Sequence, residues 1–268
     1  MSTRYAFGKN WADFSRKVQE ARIAHATDRL AHLLPDIAGR TFLDIGSGSG
    51  LHSLAALRLG AARVLAIDLD EDSVATTRAM LEANAPGGPW RAERGDILGE
   101  HGVAEGYDIV YSWGVLHHTG AMWTAVENAL ALAKPGGRFC IALYLKTPFC
   151  GFWRHEKRLY SAHPLLRPLF FGLFTPLLLL RQLAGGVNPV AYVREYERQR
   201  GMRFTNDVAD WLGGYPYESV SPREMADFAE RHGLTLELEH NTTPPRGLFG
   251  STCGEWVFRV PERAGAGQ

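Results

Sequence analysis

Phe42-Leu43-Asp44-Ile45-Gly46-Ser47-Gly48-Ser49-Gly50 is the stretch on which the fold of this chain turns. Thr41–Ile45 is a short apolar run of strand length. It enters a turn of alternating glycine and serine, and Ser49–Leu59 then reads as a helix stopped at Gly60. Lacking Cβ atoms, such a turn lets backbone N–H groups approach a ligand closely. The helix start that follows adds donors and positive potential. Dinucleotide sites use the same architecture with the spacing G-x-G-x-x-G. Here the glycines stand at 46, 48 and 50, and Leu51 occupies the place of the third dinucleotide glycine.

Working outward, the alternation of strand and helix continues. Arg63–Ile67 reads as a second strand with Asp68 directly at its end, and Asp72–Asn84 as a helix started by Asp70 or Glu71. Trp90–Gly95 is a weaker third strand, Tyr107–Ser112 a fourth, Ala121–Ala133 a helix and Arg138–Tyr144 a fifth strand after the turn Lys134-Pro135-Gly136-Gly137. Continuous apolar strands separated by helices imply a parallel sheet covered on both faces, doubly wound. Near the far end, Ser221-Pro222-Arg223-Glu224 is a capping box opening a helix to about Arg231. Leu234–His240 and Glu255–Val260 are joined too closely for a helical crossover, so they are expected to pair as an antiparallel hairpin.

The expected class is therefore α/β: a doubly wound, mostly parallel seven-stranded sheet with an antiparallel C-terminal hairpin and a helical insertion after the fifth strand. The chain divides into an N-terminal helical lid (1–39), a core (40–145), an acceptor-covering insertion (146–220), a helix and hairpin completing the core (221–262) and a disordered tail (263–268). The insertion is rich in Tyr, Trp, Phe and Arg, and Asn188-Pro189 starts a helix ending at Gly201. Pro168–Leu180 carries no charge, but its thirteen residues fall short of the roughly 20 needed to span a bilayer. Pro176 interrupts it, and it reads as a buried or substrate-covering segment, with a membrane-touching surface as the minority reading and no stable membrane insertion.

Composition narrows the function. Apolar residues make up 46% of 268, enough for a substantial core, and the 29 basic side chains are balanced by 29 acidic ones. That balance argues against a nucleic-acid partner bound through a general basic field. Cys140, Cys150 and Cys253 form no C-x-x-C pair, so neither a disulfide framework nor a zinc knuckle is supported. Residues 1–10 show no apolar signal core, and a cytoplasmic location is expected.

The D-x-G-x-G-x-G form of Asp44 to Gly50 resembles motif I of class I S-adenosylmethionine (SAM)-dependent methyltransferases. Gly95-Asp96-Ile97, the run from Tyr107 to His118 and Lys134–Arg138 resemble the later motifs of the same Rossmann-like family. Phe7–Trp11 and Trp211-Leu212-Gly213-Gly214-Tyr215-Pro216 resemble a bacterial small-molecule branch. The resemblance implies that Gly46, Ser47, Gly48 and Gly50 wrap the methionine part of SAM, with Asp44 facing its amine. An acid there would repel a pyrophosphate. It also implies that Asp68 accepts from the ribose hydroxyls, next to Leu69. Asp96 would accept from the adenine amine, with Ile97 packed on the ring, and Ser112 and Trp113 would lie beside the cofactor. An ordinary turn role for Asp96 stays open. Trp11, with Phe7 and Lys9, is expected to fold over the bound cofactor.

The implied activity is methyl transfer from SAM, leaving S-adenosylhomocysteine (SAH), to a small-molecule nitrogen or oxygen acceptor in specialised metabolism, with carbon also open. His117 and His118, after the fourth strand, are candidates for taking a proton near neutral pH, or for a structural bond to a carbonyl. Tyr192 and Glu218 are further catalytic candidates. Tyr196, Glu195, Trp211, Tyr215, Tyr217 and Arg203 are expected to line the acceptor pocket, with Arg246 as a second cation for a carboxylate. No metal is called for, and a homo-oligomer is left open. Two other classes compete: an NAD(P)-dependent oxidoreductase, which Leu51 and Asp44 oppose, and a SAM-binding protein without turnover.

Overall fold

The computed structural model describes residues 20–104, 106–200, 203–244, 247–249 and 252–262. Seven strands form one sheet: β1 (Thr41–Ile45), β2 (Arg63–Asp68), β3 (Trp90–Arg94), β4 (Tyr107–Trp113), β5 (Ala133–Tyr144), β6 (Thr235–His240) and β7 (Cys253–Arg259). Their order is β3-β2-β1-β4-β5-β7-β6. β1 to β5 are parallel, and β7 runs antiparallel to both β5 and β6. The expected hairpin is present, with its last strand placed between β5 and β6. The order reverses at β1 and β4, which puts a crevice at the C-terminal ends of these strands, where open α/β sheets bind ligands.

Period-two alternation sends neighbouring residues of each strand into different cores. Leu43, Ile45, Val110, Phe139 and Ile141 face one side, packed by α4 (Met122–Ala131) and α9 (Pro222–Arg231). Phe42, Val64, Ile109, Tyr111 and Val257 face the other, packed by α1 (Glu20–Leu33) and α2 (Leu51–Arg58). α3 (Glu71–Asn84) starts at Asp70, whose side chain accepts from the Asp72 N–H. α9 begins with the expected capping box, Ser221 and Glu224 bonding reciprocally.

Two expectations change. Ala133 already pairs with Tyr107 before Arg138 pairs with Ile109, so the Lys134–Gly137 turn is a bulge inside β5 and not a loop ahead of it. Gly137 is required there, because a Cβ would lie 2.8 Å from the Lys134 carbonyl oxygen. The second change concerns the insertion, which holds α5 (Cys150–Ala162), α6 (Arg167–Ala184), α7 (Pro189–Arg200) and α8 (Phe204–Gly213). α6 runs unbroken through Pro176. It is not buried: Phe170, Phe171 and Phe174 pack inward, whereas Leu169, Leu173, Leu177 and Leu180 are exposed. An all-apolar run hides this difference, since periodicity is lost when both helix faces are apolar.

The insertion leaves and re-enters at one place. Leu145 pairs in parallel with Val220, and the Val220 N–H donates to the Tyr144 carbonyl at 2.9 Å. The insertion is thereby rooted at the C-terminal end of β5, beside the crevice.

Candidate cofactor and acceptor site

The turn after β1 is built by left-handed backbone. Gly46, Gly48 and Gly50 have φ of 78°, 54° and 76°, a region that side-chain-bearing residues enter at a cost. Gly46 is also sterically closed, because a Cβ would meet Val115 Cγ1 at 2.4 Å. Gly46 and Ser47 N–H groups both donate to the Ile67 carbonyl, tying the turn to β2. From α3, Thr77 braces the turn through Ser47 Oγ at 3.0 Å and the Gly48 carbonyl at 3.2 Å. Ser112 Oγ donates to the Ile45 carbonyl from below.

Asp44 is buried under this turn and accepts from Ser53 Oγ at 2.6 Å. Burial pushes its carboxyl up to about 7, only partly offset by the Ser53 hydroxyl. Asp68, at the end of β2, accepts from the Gly48 N–H and the Asp70 N–H, each at 3.0 Å. A carboxylate offers about four lone-pair sites, so two such bonds leave capacity for further donors. Burial raises its pKa as well. Leu69 follows it, its carbonyl taking the Arg94 Nε–H at 3.3 Å. The Gly95 N–H donates to the Asp68 carbonyl, joining the ends of β2 and β3. Asp96 uses Oδ1 to accept from the Leu98 N–H at 2.9 Å, so it does hold a turn. Ile97 packs into the core.

Trp113 ends β4. Its indole N–H donates to Glu255 Oε1 of β7 at 2.8 Å, and the Arg29 guanidinium lies 5.6 Å from its ring centre. Arg29 also pairs with Glu255, which joins α1 to this corner. His52 at the start of α2 faces Trp113 at 6.0 Å between ring centres. Burial, with the Arg29 charge, depresses the His52 imidazole to about 4.

The two histidines have different hydrogen-bond states. His117 is fully buried, and its Nδ1 accepts from the Tyr144 N–H at 3.2 Å. Nε2 therefore carries the proton, and it has no hydrogen-bond partner. Burial, then the charges of His118 and Lys157, hold its pKa well below the usual histidine value. His118 Nδ1 lies 2.7 Å from the Pro216 carbonyl oxygen. A carbonyl only accepts, so Nδ1 is protonated and Nε2 keeps the lone pair. The His117, His118 and Tyr144 rings meet, and Tyr144 meets Tyr217.

Tyr217 is buried, with its hydroxyl 3.4 Å from Cys150 Sγ. Lys157 lies beside Trp211, 4.9 Å from the ring centre, and donates to the Trp211 carbonyl. Burial lowers the pKa of this ammonium. Tyr217, Trp211 and the histidines thus share one neighbourhood. Tyr215 lies in the loop between α8 and Tyr217, joined to Pro216 by a cis peptide bond.

The remaining candidates lie apart from it or have other roles. Glu218 Oε2 accepts from the Met122 N–H at 2.9 Å, at the start of α4, so this acid has a structural explanation that the sequence did not offer. Tyr192 and Tyr196 pack edge-on to each other and to Phe204, and the Tyr196 hydroxyl bonds Asp207. This fastens α7 to α8 and supplies the aromatics with a packing role. Glu195 is half-buried on α7, and Arg203 is exposed ahead of α8. Trp11, Phe7, Lys9 and Arg246 lie outside the described residues.

Residues 43–139 match a family model described as a methyltransferase domain. The match begins inside β1 and ends inside β5, enclosing the glycine turn, Asp68 and the histidine pair. Over these residues the chain carries a methyltransferase domain. Ribosomal protein L11 methyltransferase of Exiguobacterium is 40% identical over 101 residues, 38% of this chain and 31% of that one. The 27-O-demethylrifamycin SV methyltransferase of Amycolatopsis mediterranei is 30% identical over 146 residues, 52% of this chain and 50% of that one. The chain thus spans half or less of these curated relatives. In fold, the magnesium protoporphyrin IX methyltransferase of Synechocystis with bound SAH is similar at a TM-score of 0.54, with 16% identity over 94% of both chains.

Several residues that contact the candidate site residues carry little sequence signal. Glu255 sits in an apolar strand, and its one signal is a charge where the alternation leaves no room for it. Arg29, His52 and Lys157 lack even that signal, because only the fold brings the first two to Trp113 and the third to Trp211 and Tyr217. Val115 gives Gly46 its steric reason.

Proposed function

We propose that this chain transfers the methyl group of SAM to a small-molecule nitrogen or oxygen acceptor in the cytoplasm. The observation that carries the reading is the pairing of a glycine turn with a buried acid beneath it and a second acid at the next strand end. A left-handed turn built from Gly46, Gly48 and Gly50, without side chains at these positions, suits an amino-acid moiety lying against backbone. A carboxyl pushed to about 7 by burial is a group that a ligand ammonium would restore to the ionised form. Asp68, with its remaining lone pairs, would accept the ribose hydroxyls.

When bound, SAM supplies a sulfonium-activated methyl, so the protein need not generate the electrophile. The chain's own task is to orient the acceptor and exclude water, and orientation can contribute roughly 7–11 kcal/mol in favourable cases. Where the acceptor carries a proton, His118 is the better base of the pair. The Pro216 carbonyl fixes its tautomer with the basic lone pair on Nε2 of a half-buried ring, whereas His117 is fully buried, presents an N–H and is held neutral. Trp211, Tyr217 and Tyr144 would form the acceptor wall.

A small acceptor is favoured by the balanced charge of the chain and by the aromatic insertion over the crevice. The rifamycin relative, named for a small-molecule substrate, overlaps more of this chain than the ribosomal-protein relative does. The test is tritium transfer from labelled SAM into fractionated cell extract. Label in the small-metabolite fraction is expected. Label confined to protein or tRNA would replace the acceptor class. Thermal stabilisation by NAD and not by SAH would replace the cofactor.

A further inference from the structure

We propose that the outer face of α6 docks on the surface of an anionic lipid bilayer. Leu169, Leu173, Leu177 and Leu180 follow one another at i+4, i+4 and i+3, and so form one continuous stripe along the helix. All four are exposed, Leu169 at 66% and Leu180 at 58%. Pro164–Ala184 is the one helical stretch among the described residues long and apolar enough to cross a membrane by length and composition, and only 6% of it is buried. It is also held in the fold along its other face, where Phe170 meets Tyr160 of α5 at 6.2 Å and Phe174 meets Trp153 of α5 at 5.3 Å. A helix fastened on one side and apolar on the other suits the interface of a bilayer, not its centre.

Charge selects the occupant. The whole chain is balanced, yet Thr147–Arg203 has nine Lys or Arg against three acidic residues. No Asp or Glu occurs between Glu156 and Glu195. Arg167 and Arg181 stand at the two ends of the apolar run, and exposed Arg158 and Arg194 lie on α5 and α7, which both pack against α6. Long basic side chains around an apolar stripe place their charge at headgroup level while the stripe enters the acyl boundary. A second copy of this chain is disfavoured as the partner, since a two-fold contact through this face would bring like charges together. The proposal does not depend on the methyl-transfer reading, and its test does not use activity.

The experiment is flotation of the full chain with vesicles of phosphatidylcholine alone and of phosphatidylcholine mixed with phosphatidylserine. Recovery with the mixed vesicles is expected, decreasing as salt is added. The variant L169Q/L173Q/L177Q should lose at least about tenfold in partitioning while its melting temperature is maintained, because it removes only exposed leucines. R158Q/R194Q should weaken binding to the mixed vesicles alone. Equal recovery with both vesicle types, or an unchanged triple variant, would overturn the proposal. So would a dimer in sedimentation that the triple variant converts to monomer while neither protein floats.

Discussion

Asp44 Oδ2 accepts the Ser53 hydroxyl at 2.6 Å, so the acid beneath the glycine turn is anchored by the helix that the turn begins. With its carboxyl at about 7, it is mostly protonated below that pH and ionised above it. A ligand ammonium pairs only with the ionised form. SAH affinity, measured by calorimetry, should therefore rise about tenfold from pH 6 to pH 8. A flat profile would remove Asp44 from the amine.

The same shift acts against the fold. Between the ordinary carboxylate range and about pH 7 the folded state holds more protons at Asp44 than the unfolded chain does. Its contribution to stability therefore falls as pH rises through that window. Asp44→Asn should melt a few degrees higher than the parent at pH 8 while binding SAH more weakly, as read by thermal scans with and without ligand.

Asp68→Ala removes the acceptor proposed for the ribose and also frees the Gly48 N–H. A charged hydrogen bond contributes roughly 1.5–3 kcal/mol, so SAH affinity should drop at least about tenfold. An unchanged dissociation constant would exclude Asp68 from the site.

Gly46→Ala faces two obstacles, a φ of 78° and Val115 within 2.4 Å of the new Cβ. The left-handed backbone alone costs about 1–2 kcal/mol. Adding Val115→Ala should recover only part of the lost melting temperature, since it removes the two nearest methyl groups but leaves the Val115 Cβ 2.8 Å from the new one and φ unchanged. Full recovery would show that the turn adapts.

Glu218→Ala should destabilise by about 1 kcal/mol, because the Met122 N–H at the start of α4 loses its acceptor. Glu218→Gln keeps an acceptor oxygen and should melt near the parent. If both variants melt normally yet both abolish methyl transfer, the acid belongs to the chemistry instead. His118→Ala should lower turnover more than SAH affinity, and His117→Ala should mainly lower stability.

The sheet was legible because each strand carries its own pattern, and Asp44 and Asp68 stand out in the sequence because each is an acid in or at the end of an apolar strand. What sequence could not show was which polar group answers which. Trp113 and Glu255 meet across 142 positions, and Glu218 finds Met122 across 96. Neither pairing leaves a local trace. α6 misled for a different reason. Its phenylalanines and leucines have similar hydropathy, so nothing in their order distinguishes the covered side from the open one. Glycine and proline usually punctuate, which gives Lys134–Gly137 the look of a boundary in sequence, whereas in the fold they shape a bulge.

Among the described residues β7 is the last strand in sequence, but it sits between β5 and β6 in the sheet. During synthesis, the nascent chain therefore has no slot for β6 until residues 253–259 leave the ribosome. Until then β5 presents a bare edge, a template for unwanted pairing with other chains. Completion of the sheet is thus timed by the final strand, and a ribosome stalled before Cys253 would release a chain with an open, adhesive flank.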